Sequence, residues 1–237
     1  MTSHDLRFSD YENIVFFTGA GMSAESGVPT YRGAGGIWRE YNYEEYACQA
    51  AFDRDPEHVW EFHNYRRKLV AACPPNPGHK VIAELEKHRA ITVVTQNIDG
   101  IHQLAGSTKV HELHGGLWRL RCDHCGNRDT RRDAPLEDVH CGACHHYWRP
   151  DIVWFGDSLD REVFDQVIKA MEGCDLMVAI GTSAVVHPAA QLPIVAKAGH
   201  ARCVEINPEA TPLSDIYDVC VRQPASEALA EMAQGLL

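Results

Sequence analysis

The chain has 237 residues, 22 basic against 33 acidic side chains, a formal net charge of −11 with histidine neutral, and 45% hydrophobic residues. That is enough apolar material for one or two compact domains with a sizeable core, which excludes a disordered chain and a coiled-coil rod. The acidic balance also excludes a protein whose whole surface docks on nucleic acid or on an anionic membrane. Met1 to Tyr11 contains no basic stretch followed by an apolar run, and nowhere do about 18 uninterrupted apolar residues occur, so the expectation is a cytoplasmic protein.

The first apolar run, Asn13 to Thr18 (NIVFFT), is apolar on both faces, as a strand of a helix-covered parallel sheet should be. It leads straight into Gly19-Ala20-Gly21-Met22-Ser23-Ala24, which fits G-x-G-x-x-G/A where a dinucleotide fold turns from strand into helix. Glycines there let backbone amides approach a pyrophosphate, and a helix N-terminus favours its charge. The continuation of the chain is unlike that of a dehydrogenase. No second strand ends in an acidic residue, and Glu40, at about the right distance, falls in an irregular stretch. Instead Glu25 to Gly33 (ESGVPTYRG) brings a cation, Arg32, close to the phosphates.

Between Arg32 and Pro77 strand signals are lacking, but one helix is well marked: Asp55 as N-cap, Pro56 at the first position, then Glu57 to Ala72. His63 and Arg66, three apart, share the face of Val59, Phe62 and Val70 and so point inward, with Tyr65 about 100° round the helix from Arg66. A helix over Gly78 to Lys87 and a strand over Ala90 to Thr95 come next. Gln96, Asn97 and Asp99 then stand at that strand's C-terminal end, where open α/β sheets bind ligands.

Leu117 to Pro150 is rich in Arg and His and poor in aliphatics. It holds two CxxC pairs, Cys122 with Cys125 and Cys141 with Cys144, separated by 15 residues, a spacing that fits a four-thiolate zinc site. With all four positions filled by protein such a zinc is structural, and a segment this small needs the metal as a staple. Cys48, Cys73, Cys174, Cys203 and Cys220 fit no pattern and are expected to be small buried hydrophobes. Beyond the cysteine segment stand a helix over Asp160 to Met171, a strand over Asp175 to Ile180, a helix over Pro188 to Lys197, strands over Arg202 to Ile206 and Tyr217 to Val221, and a helix over Ala225 to Leu236. The alternation predicts an α/β fold, a doubly wound, Rossmann-like parallel sheet built from residues 10–31, 78–116 and 151–237. Residues 32–77 and 117–150 are read as insertions that together make a smaller helical and zinc-binding domain, with ligands in the cleft between the two.

Seven segments in order carry a resemblance: GAGMSAESGVPTYRG (Gly19 to Gly33), TQNIDGIHQLAG (Thr95 to Gly106), HELHG (His111 to Gly115), the paired CxxC, PDIVWFGD (Pro150 to Asp157), GTSAVVHPAA (Gly181 to Ala190) and EINPE (Glu205 to Glu209). Over about residues 10 to 236 the chain resembles the sirtuins, NAD-dependent protein lysine deacylases with a structural zinc. The resemblance implies that the acyl-lysine carbonyl oxygen attacks C1′ of the nicotinamide ribose, that nicotinamide leaves, and that the acyl group ends on ADP-ribose. It makes His114, of the HG motif, the base for the ribose hydroxyls, a role suited to imidazole, with Asn97 beside it. His111 is left structural.

The NAD contacts it implies are Gly19, Ala20, Gly21, Ser23, Glu25, Tyr31, Arg32, Trp38, Gln96, Asn97, Ile98, Asp99, Gly181, Thr182, Ser183, Asn207, Pro208, Glu209 and Ala225. Val153, Phe155 and Gly156 stand where the family holds the acylated peptide as an added strand. A branch that removes malonyl, succinyl and glutaryl groups grips the acyl carboxylate with a Tyr and an Arg three apart; here His63 replaces the Tyr and Arg66 keeps the Arg. Ala47, Ala50 and Ala51 match the room that branch leaves for a larger chain. Arg66 is able to pair with a carboxylate and a neutral His63 to donate one hydrogen bond, so acetyl and acidic acyl groups both stay open. With an ordinary imidazole pKa, His63 would favour acidic acyl groups below about pH 6.5.

Two other readings compete. An NAD-dependent oxidoreductase with a structural zinc predicts hydride transfer and leaves HELHG and TQNID unexplained. A zinc ribbon binding nucleic acid through Arg119, Arg121, Arg128, Arg131 and Arg132 is opposed by the net charge of −11 and by the lack of a stacking platform there. No membrane partner is expected.

Overall fold

The computed structural model describes residues 6–30, 37 and 41–237. The long apolar runs become the strands of a parallel sheet: β1 (Asn13–Thr18), β2 (Ala90–Thr95), β3 (Val110–Glu112), β7 (Leu176–Ile180), β8 (Arg202–Ile206) and β9 (Val219–Val221). Their order is β3-β2-β1-β7-β8-β9, and the three strands between β3 and β7 in sequence form a second sheet. The glycine-rich turn after β1 opens the short α1 (Ala20–Ala24). Side chains alternate across the main sheet with period two. On one face Ile14, Phe16 and Val178 pack with Ile82 and Leu85 of α5 (Pro77–Leu85) and Leu229 and Met232 of α9 (Ala225–Met232). On the other, Val15, Phe17 and Met177 meet Val167 and Met171 of α7 (Arg161–Glu172) and Leu192 and Ala196 of α8 (Leu192–Ala198).

The differences from expectation have local causes. β3 is a sixth strand of only three half-buried residues, recruited by pairing with β2, and its own sequence carries no period. Asp175 stays outside β7 because its carboxylate accepts the Glu12 and Asn13 backbone amides at 2.9 and 2.7 Å, tying the start of β1 to β7. The last strand is confined to Val219–Val221. The helix expected over Pro188 to Lys197 splits into a 3₁₀ turn, Ala189–Gln191, and α8, which Pro193 suits by sitting in the first turn.

The two inserted segments pack on each other. One supplies α2 (Tyr43–Tyr46), α3 (Gln49–Arg54) and α4 (Pro56–Ala71), the last capped by Asp55, whose Oδ1 accepts the His58 amide at 3.1 Å. The other forms an antiparallel sheet, order β5-β4-β6, from β4 (Gly115–Arg121), β5 (Arg128–Thr130) and β6 (Arg149–Ile152), none of which the Arg-rich sequence announced. Val59, Trp60 and Val70 of α4 share one core with Leu117, Leu120, Trp148 and Trp154. Polar links are equally specific: Asn64 donates to the Leu136 carbonyl at 3.1 Å and accepts its amide at 2.8 Å. The fully buried Arg67 donates to the carbonyls of Leu117, Arg131 and Asp133 at 2.7, 2.5 and 2.8 Å. The zinc segment thus has a core, but a borrowed one.

Among the unpatterned cysteines, Cys73, Cys174 and Cys203 are buried as expected, whereas Cys48 is half-buried and Cys220, on the sheet edge, is exposed. Among the described residues no helix is long and apolar enough to cross a membrane.

Candidate active site

The strand order reverses between β1 and β7, so the loops after them diverge and leave a crevice at their C-terminal ends. A cleft of about 1350 Å³ opens there and runs to the inserted segments. At its floor the two loops touch backbone to backbone. A Cβ on Gly21 would lie 2.6 Å from the Gly181 Cα, and one on Gly19 2.7 Å from the Gly181 carbonyl oxygen. The Gly21 amide itself donates to the Gly181 carbonyl at 3.0 Å. The glycines of the G-x-G pattern are therefore required first by loop packing, and the Gly21 amide is spent on that contact. Gly19, Ala20, Gly21 and Glu25 line the cleft, as do Gly181, Thr182 and Ser183 after β7, Asn207, Pro208 and Glu209 after β8, and Ala225.

Gln96, Asn97, Ile98 and His114 line the middle of the cleft. The Nδ1 atom of His114 lies 3.0 Å from the Gln96 carbonyl oxygen; since a carbonyl only accepts, Nδ1 carries the proton and Nε2 keeps its lone pair. Burial holds the His114 pKa below the ordinary imidazole value, and the Gln96 carbonyl pulls the other way. The chain leaves the histidine through Gly115 at φ +75°, where a Cβ would sit 2.1 Å from the Asp151 carbonyl oxygen; only glycine starts β4 there.

Ser23 and Asp99 lie one layer deeper. The Ser23 hydroxyl donates to Asp99 Oδ2 at 2.7 Å and accepts from Asn97 Nδ2 at 3.2 Å, while Asn97 Nδ2 also reaches the Gly19 carbonyl at 2.9 Å. Asp99 Oδ1 accepts the Ile101 amide at 2.9 Å, at the start of α6 (Ile101–Ala105). Ser23 and Asp99 are not among the cleft-lining side chains; they hold the Asn97 amide in place. Burial pushes the Asp99 carboxyl up, against the pull of the Ile101 and Ser23 hydrogen bonds. Tyr31, Arg32 and Trp38 lie outside the described residues.

At the far end His63 and Arg66 both line the cleft from α4 and are both buried, while Tyr65 is exposed. His63 differs from expectation. Burial, reinforced by the charges of Arg66, Arg149 and Arg67, lowers its pKa to about 3, against a slight opposing contribution from the Tyr46 backbone, so it is neutral across the physiological range. The expected gain of charge below about pH 6.5 is overturned. Trp154, which sequence reasoning passed over between Val153 and Phe155, lines the cleft beside it: its ring lies 5.8 Å from that of His63 at 23°. The Arg149 guanidinium sits 3.8 Å over the Trp154 ring and bonds Asp157 at 2.5 Å.

Val153, Phe155 and Gly156 form a cleft edge. The Val153 and Phe155 amides donate to the His114 and Ala47 carbonyls at 2.9 and 3.0 Å, which bolts this edge between His114 and the helical insertion.

Cys122, Cys125, Cys141 and Cys144 converge with all four sulfurs within 4.8 Å of one another. Sulfur pairs 3.4 and 3.6 Å apart fit a tetrahedron around zinc, whose thiolate bonds of about 2.3 Å set the sulfurs about 3.8 Å apart. The cluster joins the β4–β5 turn to the loop that leads into β6, both at the C-terminal end of β4, and stands apart from the cleft lining. The arginines beside it face carboxylates: Arg119 pairs with Glu112, Arg121 with Asp123, Arg128 with Asp151 and Arg131 with Asp129.

A family model described as "Sir2 family" matches residues 19–188. The chain is 43% identical over 223 residues, 93% of each chain, to an NAD-dependent protein deacylase of Aquifex aeolicus (strain VF5). It superposes with a TM-score of 0.88 at 41% identity, over 94% of this chain and 91% of the other, on a Sir2 homologue variant in complex with 2′-O-acetyl ADP ribose. A Sir2 solved with a p53 peptide and NAD⁺ gives a TM-score of 0.83 at 32% identity, over 94% and 92% of the two chains.

Proposed function

The chain belongs to the Sir2 family and is an NAD-dependent protein deacylase, and we propose that its chemistry runs through His114 and Asn97 in the middle of the cleft. Acyl-lysine, NAD and water give lysine, nicotinamide and O-acyl-ADP-ribose; when bound, NAD supplies the ribose that takes the acyl group. The observation that carries the assignment of roles is the His114 tautomer. With Nδ1–H committed to the Gln96 carbonyl, Nε2 is a base inside the one cleft where the glycine loops and the Val153 to Gly156 edge meet. A pKa below the ordinary imidazole value keeps it unprotonated at neutral pH.

Asn97, pinned by Gly19 and Ser23, presents its side-chain oxygen from a fixed amide, and Asp99 acts through Ser23. The loops after β1, β7 and β8 hold the ADP-ribose portion. The acylated peptide lies along Val153 to Gly156 as an added strand, using backbone groups other than the two amides already bonded to His114 and Ala47. Zinc, held by the four cysteines, supplies folding energy to the small sheet and no step of the reaction.

Acyl choice is read from the α4 end. Around the neutral His63 stand three buried guanidinium groups, of Arg66, Arg67 and Arg149. That positive potential favours an acyl chain ending in a carboxylate, with Arg66, the one of the three on the cleft wall, as its partner and His63 as a single hydrogen-bond donor. Acetyl-lysine fits the same cleft without using them. Nine cysteines, four of them committed as thiolates, suit a reducing compartment, and we place the protein in the cytoplasm. The test is mass spectrometry of acetyl-, succinyl- and malonyl-lysine peptides incubated with NAD. Free lysine, nicotinamide and O-acyl-ADP-ribose in equal amounts are expected; reduced nicotinamide, or nicotinamide without acyl transfer, refutes the reading.

A further inference from the structure

The wall of the cleft after β8 is an irregular loop, Asn207 to Leu213, with prolines at 208 and 212, that leads into a 3₁₀ turn at Ser214–Ile216. Beneath it lies a carboxylate where a covered strand has no reason to carry one. Glu205 belongs to β8, paired on both sides by β7 and β9, and is 2% exposed. A buried carboxylate persists only when donors surround it. Here the Thr211 hydroxyl donates to Oε1 at 2.7 Å, while the Ser214 hydroxyl and Arg222 Nη1 both donate to Oε2 at 2.6 Å. Burial alone would raise its pKa, but the Ser214, Thr211 and Arg222 hydrogen bonds outweigh it and hold the group ionised.

Arg222 does more than neutralise. Nη1 also reaches the carbonyls of Asn207 and Glu209 at 3.1 and 3.2 Å, and Nη2 the Ser214 hydroxyl at 3.0 Å. The Asn207 side chain in turn donates to the Thr182 carbonyl at 2.9 Å. Arg222 directly precedes Gln223, Pro224 and Ala225, which line the cleft. One guanidinium therefore ties together, directly or through Asn207, the walls contributed after β7, β8 and β9. The planar fork of arginine makes this possible; a single ammonium does not span these acceptors.

We propose that Arg222, acting through Glu205 and the carbonyls of Asn207 and Glu209, is a positioning residue that sets the shape of the ADP-ribose wall, and so the affinity for NAD, while taking no part in acyl transfer. The proposal rests on the reading that the loops after β7 and β8 hold the ADP-ribose portion.

The experiment compares wild type, Arg222→Lys and the double variant Glu205→Gln/Arg222→Met. The double variant removes both charges together and so avoids stranding a buried carboxylate. ADP-ribose dissociation constants are measured by titration calorimetry, with KM for NAD, KM for the acyl peptide, kcat and Tm alongside. The dissociation constant for ADP-ribose and KM for NAD should rise together, by about tenfold or more in the double variant and by less in Arg222→Lys, the scale of losing charge-assisted hydrogen bonds. Peptide KM and kcat should stay within about threefold of wild type. ADP-ribose affinity unchanged in variants of near-native Tm would overturn the proposal, as would a loss confined to kcat. Wild-type protein that binds no ADP-ribose at all would instead overturn the nucleotide reading of the cleft, and the proposal with it.

Discussion

The two halves of the molecule solve the same packing problem with different chemistry. The parallel sheet is held by aliphatic side chains that alternate across it, and its polar groups gather toward the strand ends, where the glycine loops and Asn97 form one wall of the cleft with Glu205 buried beneath it. The inserted half also buries aliphatics, among them Val59, Val70, Leu117 and Leu120. It adds to them tryptophans, the buried Arg67 bonded to three carbonyls, Arg149 stacked on Trp154, and four convergent thiols. The proposed function divides the labour along the same line: it gives the nucleotide and the base His114 to the sheet side, and the acyl end to the inserted side, whose buried charges survive only by specific pairing. Each half should then fail in its own way.

The largest effect should come from removing a metal ligand. Cys141→Ser is expected to yield protein lacking zinc and either aggregated or with a much lowered Tm, because the small sheet borrows its core and depends on the metal; zinc content and thermal unfolding report it. A well-folded, fully active, zinc-free variant would make the cluster dispensable. Next, His114→Ala should leave Tm and ADP-ribose binding close to wild type yet cut kcat by 10²-fold or more, the usual scale of losing a general base. Retention of more than about a tenth of kcat removes His114 from that role.

The smallest effect concerns acid stability and separates the halves by pH. An unfolded histidine titrates near 6.5, whereas the folded His63 is held at about 3 by burial and the neighbouring arginines. A lowered folded pKa means its contribution is fully present above about pH 6.5 and is lost progressively as pH falls toward 3. His63→Phe should therefore flatten the fall of the denaturant midpoint between about pH 7 and pH 4.5, measured by equilibrium unfolding at several pH values. His79, buried on the sheet side and lowered to about 4 by desolvation, keeps part of the slope in the variant. An identical slope in both proteins would mean that His63 accepts a proton in the folded state.

Much of this was legible in the sequence, and the remainder was hidden for physical reasons. The strands of the sheet interior announced themselves because burial on both faces demands an unbroken apolar run, and the Asp55-Pro56 start of α4 because capping is local. β3 and the small antiparallel sheet were invisible, since three-residue strands and an arginine-rich segment owe their shape to partners distant in sequence. The two CxxC pairs gave the metal site by spacing alone. Side-chain depth was harder to read. Ser23 and Asp99 stand in a ligand motif but sit beneath the cleft wall, and the neutrality of His63 comes first from its burial in the fold, then from Arg66, with Arg149, distant in sequence, adding to both. Glu205 opens the EINPE segment, but Arg222 belongs to no motif, and only the folded register of β8 beside β9 brings the two together.

The division of labour itself is tested most directly by a one-pot competition. Wild type and Arg66→Met are given equal amounts of acetyl- and succinyl-lysine peptides with NAD, and both O-acyl-ADP-ribose products are quantified by mass spectrometry. If the inserted half chooses the acyl group, the succinyl to acetyl product ratio should fall about ten- to a hundredfold in Arg66→Met, the worth of one charge-assisted hydrogen bond, with the loss falling on the succinyl product. An unchanged ratio, with both products reduced in step, would place Arg66 outside acyl recognition and contradict the account.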